Sequence, residues 1–178
     1  AGQTSTTGTS DGIGSAARFS WTNQIASDAS GNVYMADIFN DAIRRISPAG
    51  SVTTFAGIAG QGGYADGTGA AARFSSPSHL AISGDGNLFV ADNGNCVVRR
   101  ISPLGAVLTI AGTAGMCGFD DGLPGQAKLG FFAGLAASAN GTLVFSQTGY
   151  CVLRGISGVA VSIVAGNGTC DVVDGPQA

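Results

Sequence analysis

The side chains able to do chemistry are few. His79 is the one histidine in 178 residues, so a Ser-His-Asp site has one place to form and a three-histidine metal centre has none. Four cysteines stand at positions 96, 117, 151 and 170. Asp37 precedes Arg44 by seven residues, and Asp92 precedes Arg99 by the same seven. A carboxylate and a guanidinium so spaced can form charge-assisted hydrogen bonds. Asn140 and Asn167 each open an Asn-x-Thr sequon, the acceptor pattern for N-linked sugar. Asp120-Asp121 is a turn variant of Ala65-Asp66, and glycine-rich strings carry no weight alone in a chain with 30 glycines. We therefore expect no catalytic residue, no metal and no cofactor.

What positions these residues is a repeat. Residues 1–55 laid over 56–110 match at 25 of 55 positions without a gap. A third copy continues in the same register, and the Ala165-Gly166 pair opens a fourth. A period near 55 suits propeller blades better than helical solenoids. Each copy reads as four short strands. In the second copy they are His79–Ser83, Asn87–Asp92, Cys96–Ser102 and Ala106–Ala111, parted by Gly- and Asn-rich turns. Leu88 and Val90 fall on one face and Phe89 and Ala91 on the other. A sheet apolar on both faces needs a neighbour on each side, and radial stacking supplies it. The fold class expected is all-β, with four-stranded antiparallel blades over about 11–57, 66–112 and 121–166. Residues 167–178 begin a fourth, and 1–178 is a single repeat domain.

The blocks "DGxGxxARF" and "GNLFVADxxNxxxRRISPxGxV", recurring in order, resemble the NHL repeat. The resemblance implies a β-propeller, commonly six-bladed, of a kind that usually binds proteins and in some members RNA. The third copy departs from the pattern: Gln147 stands for Asp92 and Gly155 for Arg100.

Placed on this scaffold, Asp37–Arg44 and Asp92–Arg99 are expected to be structural ion pairs, the other reading being an anion- or peptide-binding ring. Arg18, Arg73 and Lys128 are expected to be structural too, with Phe19, Phe74 and Leu129 plugging the core. His79 is expected at a strand start in a structural role. Positions that vary between copies are better placed for recognition, because loops on a rigid scaffold carry binding. Trp21 and Phe131 precede the first strand, and Phe39 lies in the turn after the second. All three are candidate protein-binding residues, or else cover a neighbouring blade.

Equivalent points on adjacent sheets lie about 10 Å apart, too far for a disulfide. This disfavours Cys96–Cys151, whereas Cys96–Cys117 with Cys151–Cys170 treats both copies alike. The first copy has Asp41 and Gly62 at the two corresponding positions, so both partners are missing together. Each bond closes a loop of about 20 residues, worth roughly 3 kcal/mol. Zinc is the competing use of the thiols, but no Cys-x-x-Cys is present. Disulfides and sequons together place the chain in the secretory pathway, at the cell surface or outside the cell.

Eight Lys and Arg against eleven Asp and Glu give a net charge of −3, which argues against nucleic acid. No apolar run reaches the roughly 18 residues of a membrane span. The partners expected are a protein, further copies of this chain, or a glycan. Three blades do not close an ordinary ring. The chain is therefore expected to be an excerpt of a longer propeller or array, half of a ring completed by a second copy, or a unit of a filament. A non-catalytic scaffold follows; the alternative is a piece of a lyase- or hydrolase-type propeller enzyme whose catalytic residues lie in other blades.

Overall fold

The computed structural model describes residues 1–3, 5–158 and 160–168. It contains fourteen strands in three antiparallel sheets. The first sheet holds β1 (Gly12–Ile13), β2 (Thr22–Ser27), β3 (Val33–Asp37), β4 (Ala42–Ile46) and β5 (Ser51–Ala56). The second repeats it with β6 (Gly67–Thr68), β7 (Pro77–Ile82), β8 (Leu88–Asp92), β9 (Val97–Ile101) and β10 (Ala106–Ala111). The third has β11 (Phe132–Ala137), β12 (Leu143–Gln147), β13 (Leu153–Ile156) and β14 (Val161–Ala165). Four strands of each sheet form a meander, joined in sequence by hairpins. The hairpin between the first two strands needs a left-handed residue at its tip, which Gly31, Gly86 and Gly141 supply with φ of 79°, 81° and 84°.

The sequence reading missed one element. The Asp-Gly connector, expected to be a turn, adds a two-residue strand to the outer edge of the first two sheets: β1 on β5 and β6 on β10. In the third sheet only a single bridge, Gly122 to Val161, remains. Strand ends also move. β7 begins at Pro77, where a proline needs no ladder donor. β9 begins at Val97, because Cys96 sits in the left-handed region (φ 57°) and closes a short 3-10 turn.

β7 packs beside both β2 and β11, so the first strands gather at the inside and the sheets fan outward from them. Burial follows the strand period of two. Leu88 and Val90 enter the core shared with the first sheet, while Phe89 and Ala91 enter the core shared with the third. The middle sheet is therefore covered on both faces. Phe74 and Leu129 are fully buried in these cores, whereas Phe19, expected in the same role, is only half-buried. The outer faces of the end sheets remain apolar and open. Ile25 is exposed where its counterpart Leu80 is buried, and Leu153 where Val98 is buried.

Candidate recognition face

The segment leading into each first strand and the turn after each second strand meet at one end of the sheet. In the first sheet Ile38 donates its N–H to the Trp21 carbonyl at 3.0 Å, and Phe39 to that of Ser20 at 3.1 Å. Gly94 to Ser75 (2.8 Å) and Thr148 to Phe131 (2.8 Å) repeat the link in the other sheets. The contact fixes Trp21 in the left-handed region at φ 56°, and Ser76 likewise at 49°. An aromatic residue there is strained by on the order of 1 kcal/mol. Trp21 is nevertheless 70% exposed and Phe39 64%, with ring centroids 5.7 Å apart. Phe131 is 61% exposed at the corresponding place in the third sheet. All three candidates thus project into solvent. Trp21 also walls a groove of about 590 Å³ whose other side is the polar segment bearing Gln3, Thr6 and Thr7. At the same end, Tyr150 stacks on Phe119 with centroids 4.0 Å apart.

The Asp–Arg pairs lie behind this surface. Arg44 holds Asp37 at 2.8 Å and Arg99 holds Asp92 at 2.9 Å, with all four side chains wholly enclosed. Each arginine does more than the sequence suggested. Arg99 also bonds Asp66 at 2.8 Å and the carbonyls of Ala65 and Arg73. Arg44 does the same with Asp11, Ser10 and Arg18. The guanidinium thus pins the connector that supplies the edge strand, and it presents no surface to an anion from outside. The third copy keeps the device: Arg154 reaches Asp121 at 2.8 Å and Gln147 at 2.7 Å. Burial raises the carboxyl of Asp92 to about 6, against the opposing pull of its Asn95, Ser75 and Arg99 bonds. Asp66 and Asp121 could have been found from their fixed distance ahead of each arginine.

Arg18 and Arg73 close their own loops, through carbonyls of Ser15 and Ala17 and of Ala70 and Ala72. Lys128 pairs with Asp120 at 2.7 Å. His79 lies within β7, not at its first residue. Its Nδ1 shares a hydrogen bond with the Ser78 hydroxyl at 2.8 Å, its ring bonds the Ala133 backbone on the next sheet, and burial lowers its pKa. Gln24, the same repeat position in the first sheet, accepts the Leu80 N–H across the corresponding seam at 3.1 Å. The histidine is a clasp between sheets, engaged on both sides.

Cys96 and Cys117 form a disulfide with Cα atoms 5.2 Å apart. Cys151 is also disulfide-bonded; Cys170, the partner expected for it, lies outside the described residues, as does most of the segment 167–178. Asn140 sits exposed in a hairpin turn, its Oδ1 accepting from the Thr142 hydroxyl at 3.1 Å. Asn167 is exposed, while Thr169 of its sequon lies outside the described residues. Among the described residues no three His, Cys, Asp or Glu side chains gather as a metal site, and no helix is long and apolar enough to cross a membrane.

No family model matches the chain. A curated relative, the protein SUPPRESSOR OF QUENCHING 1, chloroplastic, of Arabidopsis thaliana, is 35% identical over 95 residues. That stretch is 53% of this chain and 9% of the relative. Among solved structures, an auxiliary nutrient binding protein from Bacteroides ovatus superposes with a TM-score of 0.62 at 20% identity, covering 75% of this chain and 36% of that one. Virginiamycin B lyase from Staphylococcus aureus superposes with a TM-score of 0.53 at 15% identity, covering 80% and 40%. The chain spans less than half of either structure, and likeness at this identity speaks for fold alone. The three sheets are propeller blades, an architecture that serves binding proteins and enzymes alike.

Proposed function

We propose that the chain is a non-catalytic stretch of an extracellular, NHL-like propeller that acts as a structural or adhesive scaffold through protein contacts. The observation that carries this reading is the exposed Trp21–Phe39 pair, Trp21 held on strained backbone, where the pair buries little of its own fold. Large, stiff aromatic side chains of this kind anchor protein interfaces. The chemistry-bearing groups support the same reading, since the repeated arginines and His79 are consumed by internal bonds. On this proposal the blades run over about 11–57, 66–112 and 121–166. The open apolar faces at Ile25 and Leu153 are covered by further blades, whether of the same polypeptide or of a second copy. The disulfide and the exposed Asn140 sequon support an oxidising, glycosylating compartment.

A photo-activatable residue placed at position 39 tests the binding face. Exposed to the fluid or matrix in which the protein normally resides, it should form adducts with protein, another copy of the chain included. Substituting Trp21→Ser should remove them. Adducts confined to the chain's own loops would defeat the proposal.

A further inference from the structure

The two seams between sheets are built from repeat-equivalent residues, yet they are filled differently. In the first seam the ring of Phe55 meets that of Tyr34 edge-on at 5.0 Å, and Arg45 lies over Phe55 at 5.7 Å. The Tyr34 hydroxyl donates to Asp28 at 3.2 Å. In the second seam Phe89 replaces Tyr34 and loses the hydroxyl, and Ile110 replaces Phe55 and loses the ring. The arginine is retained as Arg100. It is exposed, and its side chain, among the described residues, has no hydrogen bond, ion pair or aromatic partner. A cleft of about 410 Å³ stands there, walled by Phe89, Ile110, Leu143 and Arg100, with Asp85 and Asn140 at its polar side.

We infer that the cleft between the second and third sheets binds a phenolic ring, the ring lying against Arg100 and its hydroxyl donating to Asp85. The first seam is the template in part: there Phe55 supplies the ring beside the guanidinium and Tyr34 the hydroxyl on Asp28, whose counterpart in the second copy is Ser83, with the carboxylate standing two residues on at Asp85. Cation–π attraction favours an aromatic face beside an unpaired arginine. Asp85 is held ionised, chiefly by the Ser83 hydroxyl, and a carboxylate has lone pairs to spare for one more donor. With one positive and one negative side chain lining the cleft, a neutral phenol is favoured over a carboxylate, which Asp85 repels, or an amine, which Arg100 repels. This site goes beyond the recognition face proposed above and shares no residue with it.

The test is an NMR titration of the methyl-labelled chain with p-cresol. The Ile110 and Leu143 methyls should shift together, with a dissociation constant on the order of 1 mM for so small a ligand. Saturated 4-methylcyclohexanol should bind about fivefold more weakly or worse, and Arg100→Gln should weaken p-cresol by a similar factor. Ile110→Phe, which copies the first seam, should abolish binding. N-acetyl-tyrosine amide distinguishes the sources: equal binding points to a tyrosyl side chain on a peptide, exclusion to a free phenol. Absent shifts, shifts scattered over both seams, or undiminished binding in Ile110→Phe would overturn the inference and leave Arg100 a solvated surface residue.

Discussion

Asp41 occupies the place of a disulfide. It stands one repeat before Cys96, shares its left-handed backbone (φ 53° against 57°), and faces Gly62, the counterpart of Cys117. A Cβ on Gly62 would come within 2.6 Å of the Asp41 carboxylate. That carboxylate accepts the Ser76 N–H at 2.7 Å, tying the first sheet to the start of the second. Where the second sheet is stapled by sulfur, the first is latched by one charged hydrogen bond.

The double substitution Asp41→Cys with Gly62→Cys should therefore form a third disulfide. Loop closure contributes roughly 3 kcal/mol, less about 1–2 kcal/mol for the lost Ser76 bond. Under oxidising conditions the unfolding midpoint should rise, and under reducing conditions fall below wild type. Gly62→Ala alone should destabilise.

Removing Arg99 should be among the most damaging single changes. Arg99→Ala leaves Asp92 enclosed without its ion partner and releases Asp66 and the connector. The expected loss is about 3–5 kcal/mol, read from denaturant midpoints. A loss under about 1 kcal/mol would contradict the enclosed geometry.

His79 sets a pH dependence whose sign follows from burial. Its folded-state pKa lies below the ordinary 6.5, so the unfolded chain takes up the proton first. Stability should fall as pH drops through and below about 6.5. His79→Gln keeps a side chain able to bridge the seam, as Gln24 does. Between pH 7 and 5 the wild type should lose stability relative to this variant; parallel curves would show that His79 is as solvated when folded as when unfolded.

Trp21 should be nearly free of structural duty. Trp21→Asn, which tolerates the left-handed backbone, should leave stability within about 0.5 kcal/mol of wild type. Phe74→Ala, in the fully buried counterpart of Phe19, should cost about 3–5 kcal/mol. Thermal unfolding of the two variants side by side gives the comparison.

The period of two in Leu88–Ala91 and the glycine at each hairpin tip made sheets and strand order legible in the sequence, because both are local. The short strands β1 and β6 were not legible. Two residues carry too little pattern, and they pair only because Asp11 and Asp66 are held by arginines far along the chain. The pairing of Cys96 with Cys117 was readable from the coordinated absence of both in the first copy. The clasp made by His79 and the cleft in the second seam were not, since His79 meets Ala133, 54 residues on, and Ile110 shares the cleft with Leu143, 33 residues on, only because the fan of sheets sets them side by side.

Because Arg99 fixes a connector that precedes it by 26 to 34 residues, a blade is finished only after its third strand has been made. A chain emerging from the ribosome carries its newest linker loose until that arginine arrives. The connector belongs with the strands that follow it, and an excision or graft of one blade should be cut ahead of Ala65, so that the connector stays with the arginine that pins it.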